Sequence, residues 1–338
     1  MRSLTPRRIF WICAGLAGIL FVIVVFSLKV GAYPMAVGDV VMTLARGAIG
    51  HWNAIPSSDR LVVFGLRLPR IALGILVGAA LSVSGASFQA LLRNPLADPY
   101  VLGVSSGAAL GAIFSLAWFP REPWTMQALA FVGALVTIAA VYFLGRRGGQ
   151  LDSTTLLLAG IVAASFLSAI IMFLMTTLSG RDLRGMAFWL MGDLATAPAV
   201  RLGFLFLVLL LTIGAIYTTA SDLNLILTGE QEAHHLGVNV PRVKLVVYVG
   251  ASLLTGLAVS VSGAIGYVGL LIPHVIRMIF GSDYRLLIPA SAIGGAIAVT
   301  LADTLARTIV APTELPVGAM TAAIGAPVFI YLLKRRLA

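Results

Sequence analysis

The residues able to do chemistry are few and widely spaced. His51, His234, His235 and His274 are the only imidazoles in the chain. Neighbouring side chains on a helix point about 100° apart, so His234 and His235 do not chelate one ion from a single helix. His51 stands far from both in an early loop. The sole cysteine, Cys13, lies in an apolar run, which excludes an intrachain disulfide framework or a thiolate metal site. No Gly-x-Ser-x-Gly elbow, no Ser–His–acid grouping and no G-x-x-x-x-G-K-[ST] phosphate cradle occurs. The chain is therefore read as a non-enzyme with no catalytic residue, no cofactor and no metal. Asp303 is the main acid within an apolar run, four residues before Arg307. That i,i+4 spacing suits a structural ion pair better than a proton relay.

The elements that must hold these residues are membrane spans. Of 338 residues, 59% are apolar and 11% charged, and the mean hydropathy is +1.02. A water-soluble domain carries roughly 25% charged residues, too many for this composition to match. The net charge of +10 clusters near the ends of apolar runs, which suits lipid headgroups or an acidic protein and not nucleic acid. The first apolar run, 9–30, follows basic residues as a signal peptide does, but it outruns the usual core of about 7–15 residues and reads as a span. At about 20 apolar residues per crossing, the chain gives ten: 9–30, 66–91, 101–119, 125–145, 153–177, 199–220, 242–263, 266–280, 285–308 and 316–335. An even number places both basic tails on one side, read as cytoplasmic from a weak positive-inside bias. The longest loop on that side, 221–240, combines Glu230 and Glu232 with an amphipathic pattern and ends at Gly237, as a docking segment would.

One pentapeptide is written twice. "SVSGA" begins at Ser82 and again at Ser260, and a shift of 178 residues gives ten identities over the twenty positions from Leu76 to Pro95. The copies fall in the second and seventh spans, five crossings apart, so they run in opposite directions through the bilayer. The whole chain, 1–338, reads as one membrane domain built from two inverted halves, about 60–160 and 240–338. A duplicated membrane half, no nucleotide site and a docking loop favour the membrane subunit of an ATP-driven machine. An ATP-independent transporter or channel is the competing class.

The stretch "RLPRIALGILVGAALSVSGASFQALLRNPLADPYVLGVSSGAALGA" from Arg67, with "LLLAG" at Leu156, "GLLIPHVIRMIFGSDYRLLIP" at Gly269 and "ELPVGAMTAAIGAPVFIYLL" at Glu314, resembles the FecCD-type permeases of ABC importers. The resemblance implies the type II ABC importer permease fold, all-α with ten transmembrane helices, working as a homodimer in the bacterial inner membrane. It further implies two cytoplasmic ABC ATPases below, a periplasmic substrate-binding protein above and a substrate path between the two permeases. On matching positions it implies a cytoplasmic gate at Asn94, Leu96, Ser153 and Thr154. ATPase coupling falls on Glu230, Leu236 and Gly237, where this chain carries His234 and His235 in place of small or basic residues. Arg67, Arg70 and Arg307 match positions that meet glutamates of the binding protein. Span-end arginines also snorkel to headgroups, and Arg307 has Asp303 as a rival partner. Ser165, Ser168, Met172 and Thr176 are candidate path-lining residues on the fifth span. The implied substrate is a metal chelate, an iron–siderophore or haem, with a corrinoid such as vitamin B12 as the alternative.

Overall fold

A computed structural model of the chain describes residues 5–31, 33–119, 122, 124–147, 150–177, 183–195 and 202–337. Fourteen helices occur in order among these residues: α1 (Pro6–Lys29), α2 (Val37–Ala48), α3 (Ser57–Leu91), α4 (Val104–Trp118), α5 (Thr125–Leu144), α6 (Ser153–Thr177), α7 (Leu183–Leu190), α8 (Leu202–Thr218), α9 (Ala220–Thr228), α10 (Glu230–His235), α11 (Val240–Ser262), α12 (Val268–Phe280), α13 (Tyr284–Ala306) and α14 (Val317–Leu337). The only strand pairing among them is the short match of Arg146–Arg147 with Gln150–Leu151.

Each of the ten expected spans falls on a helix, with 199–201 at the start of the sixth outside the described residues. Helices α1, α3, α5, α6, α11 and α13 are long and apolar enough to cross alone. Helices α8 and α9 reach that length and hydropathy only when taken together across a 46° bend, and α4, α12 and the apolar part of α14 are shorter. The short eighth span is helical through Pro273, which α12 carries in its interior. Only helices and closed barrels satisfy their backbone groups in hydrocarbon, so a chain this apolar resolves into helices throughout.

Helix α3 starts earlier than its apolar run suggests. The sequence places Pro69 in the first turn of a span beginning near residue 66, whereas the helix runs from Ser57 as a 35-residue rod. The turns Leu61–Arg67 are π-helical, with the Leu68 amide bonding the carbonyl of Val63 five residues back. A proline ring clashes with the carbonyl four residues earlier in a straight α-helix, and the widened turns before Pro69 relieve that clash.

Helix α3 is also the centre of the bundle. Its most apolar stretch is 89% buried, against 6% for α1 and 17% for α6. Lipid does not drive helices together, so close backbone approach through small residues must hold them. A Cβ placed on Gly78 would lie 2.1 Å from the Gly295 carbonyl oxygen, and one on Gly85 would lie 1.8 Å from that of Gly269. Thus α13 and α12 meet α3 backbone to backbone. On a third side, Ser84 Oγ donates to the Ala251 carbonyl at 2.7 Å and lies 2.6 Å from Thr255 Oγ1, while Phe88 packs edge-on against Tyr248 at 6.2 Å. Rising numbers in α3 meet falling numbers in α11, so the two helices carrying the repeated pentapeptide pack antiparallel.

The two copies of that pentapeptide differ in local structure. Ser82–Ala86 lies inside α3, whereas the second copy ends α11 at Ser262 and turns at Gly263, φ +65°. The residues after each copy decide the outcome. "SFQALL" continues a helix, while "IGYVG" supplies two glycines within five residues and breaks it. The break is closed by Tyr100, whose hydroxyl donates to the Ile265 carbonyl and accepts from the Ile265 amide, each at 3.0 Å.

Candidate functional site

Two polar clusters sit at opposite ends of α3. Its segment Leu68–Leu91 spans 24 residues, about 35 Å at 1.5 Å per residue.

At the first end, Arg67 is 5% exposed and turned inward. Its guanidinium donates to the carbonyls of Leu28 at 2.5 Å, Lys29 at 3.3 Å and Tyr33. Leu28 and Lys29 close α1, where carbonyls lack helical partners and the helix dipole favours a cation. Arg70 Nε donates to Asp303 at 2.8 Å and its Nη1 to Glu314 at 2.7 Å. Arg307 Nε lies 3.1 Å from the other oxygen of Asp303. The Asp303 side chain is 2% exposed and that of Glu314 is 47% exposed. The i,i+4 pairing of Asp303 with Arg307 is therefore present, and Arg70 joins it from another helix. Arg67 and Arg307 are buried and Arg70 nearly so; internal acceptors hold Arg67 and Arg70, while Arg307 has the Asp303 charge beside it but leaves Nε and Nη2 without a hydrogen-bond partner among the described residues. A guanidinium at the end of a membrane bundle is costly unless paired, which is why the acceptors converge on them.

At the second end, α3 stops at Leu91 and the chain turns through Arg93, whose φ is +49°. Asn94 closes the turn: its Oδ1 accepts the Leu96 amide at 2.9 Å and its own amide bonds the Gln89 carbonyl at 3.1 Å. Leu96 is 40% exposed. Ser153, at the start of α6, donates its hydroxyl to the Leu91 carbonyl at 3.3 Å, so the two chain segments expected to form a gate are brought together. Thr154 beside it is exposed. Asp152 supports this junction by accepting from the Thr155 amide and hydroxyl at 2.8 and 2.6 Å.

The segment 221–240 packs against the same end. Helix α9 is fastened by Asn224, whose Nδ2 donates to Asp283 at 2.9 Å and whose Oδ1 accepts the Tyr284 amide at 2.9 Å. The Arg285 guanidinium, with help from Asn224, holds the Asp283 carboxyl down at about 2. Glu230 opens α10 and pairs with Arg93 at 3.2 Å and Lys244 at 2.7 Å. Leu236 is 66% exposed, and Gly237 turns the chain at φ +87° with open space around it. An exposed leucine beside such a turn leaves α10 with an apolar tip pointing outward.

Ser165, Ser168, Met172 and Thr176 share one stripe of α6 and all four are exposed in the single chain. Ser165 and Thr176 donate back to the carbonyls of Ile161 and Phe173 at 2.9 and 2.8 Å. The stripe is therefore less polar than its residue types suggest. Sequence reading alone missed Arg93, Asn224 and Tyr100. The signal for Arg93 was a lone cation directly before Asn-Pro at the end of a long apolar run.

Comparison with known proteins places this geometry. The model of the FecCD transport family matches residues 19–335. The cobalamin import system permease BtuC of Halobacterium salinarum is 42% identical over 291 residues, covering 83% of this chain and 76% of that protein. The hemin transport system permease HmuU of Yersinia pestis is 42% identical over 293 residues, covering 84% and 87%. A solved structure, described as an inward-facing conformation of an ABC transporter assigned to the metal-chelate type, superposes with a TM-score of 0.81 at 32% identity, covering 96% of this chain and 99% of that one.

Proposed function

The chain belongs to the FecCD transport family as a permease of the type II ABC importer kind, and we propose that it carries a metal chelate into the cytoplasm between two copies of itself. The observation behind this reading is a family match over residues 19–335 in a chain that has no nucleotide cradle of its own. The energy is supplied by two ABC ATPases docked on the segment around Glu230, Leu236 and Gly237, beneath a gate formed by Asn94, Leu96, Ser153 and Thr154. The exposed α6 stripe of Ser165, Ser168, Met172 and Thr176 lines the path once the second copy is present. The Ser165 and Thr176 hydroxyls are turned onto their own helix, which suits a passage that touches its cargo weakly.

A periplasmic binding protein delivers the cargo at the opposite end. Its docking surface is the edge of the arginine cluster around Arg70 and Glu314. Three arginines, Arg67, Arg70 and Arg307, against Asp303 and Glu314 leave that cluster with an excess of positive charge. An acidic partner is steered by that excess without needing three free guanidiniums.

An iron chelate, iron–siderophore or haem, is the favoured cargo. A corrinoid is the second reading, supported by the relatives named for cobalamin and vitamin B12 import at 42% and 38% identity. ATP-dependent uptake by vesicles holding the reconstituted complex is expected for one of haem, a ferric siderophore or cobalamin, and to vanish without the binding protein. Uptake of none of the three, or uptake without ATP, counts against the reading.

Sidedness gives a separate prediction for the bacterial cytoplasmic membrane. In a Cys13→Ser background, Ile49→Cys is expected to react with a membrane-impermeant maleimide added to intact cells. Leu236→Cys, in cells that express the permease without its ATPase, is expected to react only after the cells are opened. Both native side chains are well exposed, at 65% and 66%, so accessibility within the fold does not limit either reaction. Labelling of Leu236→Cys in intact cells reverses the orientation and the placing of both tails inside.

A further inference from the structure

Arg93 belongs to the gate turn by its backbone and to the docking segment by its side chain. Its amide bonds the Ala90 carbonyl at 3.1 Å, and the next residue is Asn94. Its Nη2 donates to the Ile226 carbonyl at 3.0 Å and lies 3.2 Å from Glu230 Oε1. Ile226 sits in the last turn of α9, where carbonyls have no helical donor, so the guanidinium completes that helix end. Glu230 Oε2 then holds Lys244 on α11 at 2.7 Å. One side chain thus joins the end of α3 to α9, α10 and, through Glu230, to α11.

We propose that Arg93 is a positioning strut that carries movement of the docking segment around Glu230 into the gate turn at Asn94 and Leu96. The inference rests on the ATP-driven reading of the chain. Three features support it over an ordinary surface ion pair. The guanidinium is shared between a backbone carbonyl and a carboxylate, which fixes its direction as a single exposed pair would not. The residue is fixed at φ +49° by the helix-end turn itself, in which its amide bonds Ala90 and the Asn94 amide bonds Gln89, so the side chain departs from a set backbone position. It also directly precedes Asn94, so a pull on its anchored guanidinium acts one residue from the backbone assigned to the gate turn.

The test uses Leu96→Cys as a reporter in a Cys13→Ser background, with the chain assembled with its ATPase in nanodiscs. Maleimide labelling is compared between nucleotide-free and ATP–vanadate-trapped complexes. The reporter chain is expected to label at different rates in the two states. Arg93→Ala and Arg93→Met are expected to lose that difference, and Arg93→Lys, which keeps a donor facing Glu230, to retain it. Arg93→Met preserves the aliphatic stem and decides the matter if Arg93→Ala does not assemble. A nucleotide-dependent difference that persists in Arg93→Met overturns the strut. A reporter chain with Arg93 intact that shows no difference at all overturns the ATP-driven gate itself, which separates the two failures.

Discussion

Replacing Asp303 by alanine is expected to lower the thermal midpoint of the detergent-purified chain far more than replacing Glu314 by alanine. Both carboxylates bind Arg70, at 2.8 and 2.7 Å, so distance alone predicts equal effects. Burial separates them. Asp303 is 2% exposed and is also the carboxylate beside Arg307 at 3.1 Å, so its removal strands Arg307 inside the bundle and leaves Arg70 with only the exposed Glu314. Breaking a buried pair by deleting one partner costs about 3–5 kcal/mol, largely because the remaining charge stays buried. Glu314 is 47% exposed, and losing an ion pair of that kind costs about 0–1 kcal/mol. Asp303→Asn keeps the shape without the charge and is expected to fall close to the alanine variant. Heating followed by size-exclusion chromatography reads the midpoints. Equal midpoints for Asp303→Ala and Glu314→Ala would show that the cluster is hydrated and contributes little to holding α3 against α13.

That contrast marks how far the sequence could be read. The position of Arg67, Arg70 and Arg307 at one end of the bundle was legible, because charged residues in so apolar a chain collect at span ends. Their occupation was not. Arg67 is consumed by carbonyls at the end of α1, thirty-eight or thirty-nine residues away, and Arg70 by carboxylates more than two hundred residues away. Such partners follow from the packing of three helices and leave no local pattern. The Asp303–Arg307 pair was visible because an i,i+4 spacing is itself local.

The spans show the same division. Their number and order follow from apolar runs, since a bilayer fixes the length each crossing needs. The π-helical turns ahead of Pro69 follow from a conflict between the ring and continuous helix, which hydropathy does not register. The twin "SVSGA" segments are the sharpest case. Their places in the second and seventh spans predicted opposite directions, and α3 and α11 do run antiparallel, yet one copy is helix interior and the other a helix end. The residues after Ala86 and Ala264 decide that, not the repeat. The turn at Asn94-Pro95 was singled out through the family resemblance, whereas Arg93 was passed over, because a lone cation beside a turn looks like any solvated charge until its acceptors are known.

Gly85→Val is expected to prevent α3 from seating against α12 and to abolish transport, even where the chain still inserts in the membrane. The added Cβ would lie 1.8 Å from the Gly269 carbonyl oxygen and 2.4 Å from its carbonyl carbon, so the obstacle is backbone and no side-chain rotation relieves it. Overpacking a tight core commonly costs about 1–3 kcal/mol, and contact with backbone puts this site at or above the top of that range. Gly85 lies between the arginine cluster and the gate turn on one rigid helix, so separating α3 from α12 there also displaces Arg93 and Asn94. Gly15→Val on α1 is the comparison, because a Cβ at Gly15 meets nothing within 4 Å. Both substitutions add the same bulk and lower helix flexibility alike, so any difference between them reports the close approach. Gly78→Val, facing the Gly295 carbonyl at 2.1 Å, is expected to resemble Gly85→Val and not Gly15→Val. Size-exclusion profiles and vesicle uptake for the three variants read this directly. Wild-type uptake by Gly85→Val would mean that α3 and α12 do not touch in the working transporter.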